Sequence, residues 1–235
     1  MVPRTITSAQ HPLVKRWVKL RQDKSFRQEE RAVLVSGKKM VAEVKVKTLI
    51  ADAPIPGADV VVTPEILKKI TGLVTPEGVA AEVALPEPAN LTGKKWVVVF
   101  DAIADPGNVG TLLRTALALG WEGVFLMEGT ADPFNEKALR AARGASFHLP
   151  LAFGTVAELK KLAEGRTVYV ADIQGHPLEK GRSPALLILG SESHGPSQAV
   201  QQLGKPVTIP MAGPMESLNV ATAGGILMYT LKGEL

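Results

Sequence analysis

The chain of 235 residues contains no cysteine. That excludes disulfides and thiolate metal sites, and it predicts either a reducing, cytoplasmic setting or a hot habitat that penalises thermolabile residues. No run of eighteen apolar residues occurs, so no membrane span is expected. The amino terminus, MVPRTITSAQHPLVKRW, lacks the apolar stretch of a secretory signal. Several familiar sites are missing as well. LLILGSESHGPS (186–197) comes near a phosphate-binding P-loop, but Pro196 stands where the loop needs its lysine, which excludes a nucleoside-triphosphate site. No G-x-G-x-x-G opens a helix, so the usual dinucleotide loop is absent. His11, His148, His176 and His194 show no metal spacing, which predicts no metal, and no G-x-S-x-G elbow supports a serine hydrolase.

What is present is ordinary in bulk and uneven in detail. Hydrophobic residues make up 46% and charged residues 21%, enough for a sizeable core in one large or two modest domains. The net charge of +4 hides an asymmetry. Residues 1–48 carry twelve Lys or Arg against Asp23, Glu29, Glu30 and Glu43, a local +8 that leaves −4 on the remainder. A basic end on a mildly acidic body points to a polyanionic partner. Lys15, Arg16, Lys19, Arg21, Lys38 and Lys39 are the candidate contacts to the phosphates of a nucleic acid, RNA or DNA; the plainer reading is a solvated helix surface.

Periodicity predicts a helix over 11–22, strands over 32–36, 47–51 and 59–63, a helix over 64–70 and a strand over 79–85. The Pro-rich and Gly-containing stretch 85–95 reads as a linker, which gives domains of 1–88 and 95–235. The second domain alternates. Strands are expected over 96–103, 123–127, 145–152, 167–172, 185–190 and 206–210, with helices over 109–120, 135–143, 155–165 and 217–233. Such alternation means an α/β fold with a largely parallel sheet, and sites beyond the strands' carboxyl ends.

Three loops rich in Gly, Asn or Ser follow predicted strands: DPGNVGTLLR (105–114), LGSESHGPS (189–197) and IPMAGPMESLNV (209–220). Together, in this order, they resemble the three signature motifs of the SpoU (TrmH-like) RNA ribose 2′-O-methyltransferases of the SPOUT superfamily, and DPFNEKALRAARGASFHLP (132–150) matches the stretch between the first two. The resemblance is strong over 96–232 and looser over 5–85. It implies a C-terminal trefoil knot, a small N-terminal α/β (L30e-like) substrate-binding domain, a homodimer whose active sites draw on both chains, S-adenosylmethionine as cofactor and structured RNA as substrate, ribosomal rather than transfer. It also implies that Leu189, Gly190, Ile209, Met211 and Leu218 hold the cofactor, largely through backbone groups. Ser193 and His194 depart from the usual second motif, and Ala221 and Thr222 from the third.

By the same resemblance Arg114 handles the acceptor hydroxyl, either as general base or by gripping an RNA phosphate and stabilising the alkoxide. Asn108, Ser217 and Asn219 then fix their loops near the reacting hydroxyl, and Glu192 orients Arg114 or the loop backbone. Each has a plainer reading: helix caps for Asn108 and Ser217, an exposed helical arginine, a solvated loop acid. A non-catalytic RNA-binding or ribosome-assembly factor with the same fold, a tRNA 2′-O-methyltransferase, and a base methylase are the competing functions.

Overall fold

The computed structural model describes residues 3–233, which cluster into two compact units. The first comprises residues up to Glu87 together with Phe134–Leu139. Along it run β1 (Arg4–Ile6), α1 (Pro12–Gln22), α2 (Lys24–Glu30), β2 (Ala32–Ser36), α3 (Lys38–Ala42), β3 (Val46–Ala51), β4 (Val60–Val62), α4 (Pro64–Thr71) and β5 (Val79–Ala84). The strands form one sheet in the order β1-β4-β3-β5-β2, with β1 and β3 parallel to β4 and β5 antiparallel to both β3 and β2. The helix expected over 11–22 forms because Pro12 fixes its first turn, the His11 ring accepts the Leu13 N–H, and Val14, Trp17 and Leu20 recur on one face. That face is fully buried with Ile66, Leu67 and Ile70 of α4 in one cluster.

One acid lies inside this unit. Glu82 on β5 is buried, yet Arg16 reaches its carboxylate with both Nη atoms, at 2.5 and 3.2 Å, the Trp17 indole N–H donates to it at 3.2 Å, and Lys47 stands 3.4 Å away. Burial pushes the Glu82 carboxyl up, but these partners, Arg16 foremost, outweigh it and hold it below its ordinary 4.5.

The second unit comprises Pro88–Pro133 and the residues from Arg140 onward. In chain order the remaining elements are β6 (Trp96–Phe100), α5 (Pro106–Ala118), β7 (Gly123–Met127), α6 (Glu136–Ala142), α7 (Ala145–His148), β8 (Leu151–Gly154), α8 (Val156–Ala163), β9 (Thr167–Pro177), β10 (Ala185–Leu189), α9 (Gln198–Gln201), β11 (Lys205–Thr208) and α10 (Val220–Lys232). The six strands run β11-β9-β10-β6-β7-β8, and every pairing is parallel. The uninterrupted apolar runs of β6, β7 and β10 are buried as strands covered on both faces must be.

The strand expected over 145–152 is instead a short helix, α7, followed by β8, because the left-handed Arg143 and Gly144 turn the chain before ASFH. Strand β9 runs five residues past the expected end. Its register against β11 jumps from Val170 opposite Pro206 to His176 opposite Val207, so Ala171–Gly175 leave the ladder as a bulge. The short elements β1, α2, α3 and α9 carry too few residues for periodicity to reveal. Among the described residues, no helix is long and apolar enough to cross a membrane.

Candidate active site

The three loops singled out in the sequence follow β6, β10 and β11, at the carboxyl ends of parallel strands. A single side chain joins all three. Asn108 Nδ2 donates to Glu192 Oε1 at 2.7 Å, and Asn108 Oδ1 accepts from Asn219 Nδ2 at 3.1 Å. The carboxylate can only accept, so it turns the Asn108 amide nitrogen toward itself and the oxygen toward Asn219. That leaves Asn219 Oδ1 for the Ala221 and Thr222 N–H groups, at 2.9 and 3.3 Å, which it caps. One acid thus orders both amides.

Two expectations about caps change. Helix α5 begins at Pro106 with Asp105 as its cap, the Asp105 carboxylate accepting the Asn108 N–H at 3.0 Å. Asn108 therefore sits within the first turn, its side chain free to bridge loops. Helix α10 is capped by Asn219, not by Ser217, which lies outside the helix.

A cleft of about 820 Å³ opens beside this link. Its wall includes the five residues expected to hold a cofactor, Leu189, Gly190, Ile209, Met211 and Leu218, together with Ser217, Glu192, Ser193, His194 and the bulge residues Ala171–Gln174. The volume lies within the roughly 300–1,000 Å³ of small-molecule sites. Leu189 and Gly190 are buried at the floor, while Met211 and Leu218 each keep 38% of their surface accessible. The loop after β10 closes into a hairpin by the Gly195 N–H donating to the Ser191 carbonyl at 2.8 Å. It closes so tightly that a Cβ on Gly190 would lie 2.1 Å from the Pro196 nitrogen, so only glycine fits. An apolar slot floored by bare backbone suits a nucleoside: the aliphatic walls take the ring faces, and peptide N–H and C=O groups take its edges. Among the described residues, no group of three or more His, Cys, Asp or Glu side chains is placed to hold a metal ion.

Arg114 is exposed on α5, does not wall the cleft, and makes no side-chain bond among the described residues. Glu192 engages neither Arg114 nor its own loop's backbone; its partner is Asn108. Of the candidate RNA contacts, Lys15 and Lys19 on α1 and Lys38 and Lys39 on α3 are exposed, with the Lys19 amine 4.2 Å over the Phe26 ring. Arg16 and Arg21 are committed elsewhere, Arg16 to Glu82 and Glu30, Arg21 to Glu136 at 2.8 Å. Sequence reasoning missed Asp105 as the α5 cap and the bulge as a cleft wall. It also missed Asp101, a buried acid that accepts the Ser197 N–H at 2.7 Å at the foot of the second loop, although a lone acid ending the apolar run WVVVF was a legible signal.

A parallel sheet whose post-strand loops converge on one cleft defines an α/β domain with a small-molecule site at its strands' carboxyl ends. The chain belongs to the SpoU rRNA Methylase family, whose sequence profile matches residues 95–229. It is 35% identical over 249 aligned residues to the 23S rRNA (guanosine(2553)-2′-O)-methyltransferase of Bacillus subtilis (strain 168), spanning 97% of this chain and 99% of that protein. Among solved structures it resembles an AdoMet-bound rRNA methyltransferase from Sinorhizobium meliloti, with a TM-score of 0.83 and 28% identity, across 96% of this chain and 95% of that one. The SpoU methyltransferase AviRb from Streptomyces viridochromogenes shares the fold at a TM-score of 0.83 and 24% identity, across 94% and 97%.

Proposed function

We propose that the chain transfers a methyl group from S-adenosylmethionine to a ribose 2′-hydroxyl of structured RNA, ribosomal rather than transfer RNA. The observation that carries this reading is the convergence of Leu189, Gly190, Ile209, Met211 and Leu218 on one cleft, beside the Glu192–Asn108–Asn219 link. The name of the Bacillus subtilis relative supports the sugar as acceptor and ribosomal RNA as substrate.

When bound, the cofactor supplies a methyl group on a positively charged sulfur. Everything else falls to the protein. Leu189, Ile209, Met211 and Leu218 exclude water from the cofactor's faces, and the Gly190 backbone holds its edge. In-line transfer needs positioning above all, since attack cancels charge rather than creating it. Asn108 fixes the three loops against one another, and Ser217 lies on the cleft wall where its hydroxyl can meet the sugar. Arg114 presents a guanidinium, a fork of N–H donors with no atom that accepts a proton. Its work is therefore electrostatic: it grips an RNA phosphate with its planar fork and stabilises the oxygen as the proton leaves to water.

Arg114 is absent from the cleft wall of its own chain, which supports a homodimer in which the partner's Arg114 completes the site. The face for it is apolar. Leu117 on α5 is 38% exposed, and Ile226 and Tyr229 on α10 are 41% and 57% exposed. The C-terminal segment is threaded as the family's trefoil knot, the N-terminal unit is the L30e-like module that grips RNA, and the protein works in the cytoplasm, as the lack of cysteine suits. Lys15, Lys19, Lys38 and Lys39 meet phosphates, so RNA affinity falls as salt rises. Replacing the four with alanine is expected to flatten the log–log salt dependence by about three; an unchanged slope assigns those lysines to solvent.

The deciding experiment is transfer of labelled methyl from S-adenosylmethionine to total RNA, with the labelled fragment mapped. Arg114→Ala is expected to abolish transfer while calorimetry still registers cofactor binding, and Arg114→Lys not to restore it. Wild-type turnover in either variant removes the assignment, and a chain that binds RNA but no cofactor is a non-catalytic factor.

A further inference from the structure

We propose that Asp101 is a positioning residue that clamps the root of the Gly190–Pro196 hairpin and so shapes the floor that receives the methyl donor. This deepens the function proposed above and rests on it. Asp101 follows the apolar run of β6 and is only 4% exposed. A carboxylate there is costly unless it is hydrogen-bonded. Its bonds go to one structure. The Asp101 N–H donates to the Leu189 carbonyl at 2.9 Å, and Asp101 Oδ2 accepts the Ser197 N–H at 2.7 Å. Leu189 is the residue just before the hairpin and Ser197 the one just after it. One residue therefore grips both ends of the loop.

The rest of the hairpin shows why a clamp matters. Its interior is held by the Ser191–Gly195 bridge, its tip by Glu192 to Asn108, and its exit by Gln201 Nε2 donating to the Pro196 carbonyl at 3.1 Å. All but the Asp101 bonds involve the loop itself, helix α5 or the short α9. Among the described residues, only Asp101 ties both ends to the buried sheet, next to Gly190, where closure brings backbone against backbone. The chain turns directly after the grip, Ala102 lying at φ +55°, a left-handed conformation that persists only where its surroundings impose it. Loss of the clamp lets the hairpin ends spread, and the cleft floor spreads with them.

The clamp can be cut from either side. Ser197 is exposed, its side chain makes no capping bond, and its φ of −63° suits proline, so Ser197→Pro removes the N–H and sets the ring Cδ against Asp101 Oδ2, which opens the clamp while every core residue keeps its identity. Asp101→Ala removes the acceptor, and Asp101→Asn keeps an acceptor oxygen. Loss of a buried, charge-assisted bond is expected to weaken S-adenosylmethionine binding roughly ten- to hundred-fold in the Ala and Pro variants. Asn recovers most of it, the double variant is no weaker than the worse single one because the two act on one bond, and KM for RNA stays put. A merely structural role lowers the melting temperature and leaves cofactor affinity alone. Wild-type affinity in Ser197→Pro, or an Asn variant as weak as Ala, overturns the clamp. Should Asp101→Ala fail to fold, Ser197→Pro decides alone. A wild-type chain that binds no cofactor overturns the proposed function instead, and hydrogen exchange then judges the clamp. Faster exchange of the Gly195 amide in Ser197→Pro supports it, and unchanged protection ends it.

Discussion

At the scale of single residues, the acid that matters for stability and the acid that orders the site are different groups. Glu82 is held below its ordinary 4.5, chiefly by Arg16 working against burial. A depressed carboxyl stabilises the folded state above its unfolded value, and that stability is lost as the pH falls through the folded value. Thermal unfolding is therefore expected to show Glu82→Gln less stable than wild type at neutral pH, with the gap closing in acid below about 4. A gap that stays constant with pH refutes this. Arg16 and Arg21 show the limit of reading charge from sequence. Both were candidates for phosphate contact, yet carboxylates 66 and 115 residues away hold them. Nothing local in a sequence reports such distant pairing. Asn108 fares similarly: its position just before the helix expected at 109 reads as a cap, and only the three-dimensional return of residues 192 and 219 makes it a bridge.

Among elements, the strands of the second unit were the most legible, since continuous apolar runs such as WVVVF and ALLIL have few other ways to be buried. The segment 145–152 was not, because two consecutive left-handed residues decide its course and only one of them is glycine. Helix α10 was expected at 217 and begins at Val220, its cap being the residue that also serves the site. How α10 seats was hidden too. A Cβ on Gly224 would lie 2.5 Å from Leu112 Cδ2 and 2.7 Å from Leu189 Cδ1, so that glycine lets the helix lie close against α5 and β10. Gly224→Val is expected to cost about 1–3 kcal/mol by overpacking, read as a lowered midpoint in denaturant unfolding. Because Leu189 floors the cleft, cofactor affinity should fall in the same variant. Normal stability there means the helix has slack.

For the whole molecule, the parallel sheet and its basic amino-terminal companion were both visible in composition and alternation, whereas the bulge of β9 and the mixed sheet of the first unit were not. Pairing direction depends on which strands become neighbours, and in the order β1-β4-β3-β5-β2 only β3 and β4 are consecutive in the chain. The proposed dimer belongs to this scale. Tyr229→Asp places a charge on the apolar α5–α10 face, and light scattering is expected to report a monomer with methyl transfer lost but cofactor binding retained. A dimer that survives the charge moves the interface elsewhere.

The bridge at Asn108 also imposes an order of assembly. Its partners lie 84 and 111 residues downstream, so ring closures of that length must be completed before the three turns meet. During synthesis the helix bearing Asn108 emerges long before residue 219 does. A growing chain can thus own a finished sheet and still be inert, and the site is complete only once residue 219 has emerged and docked.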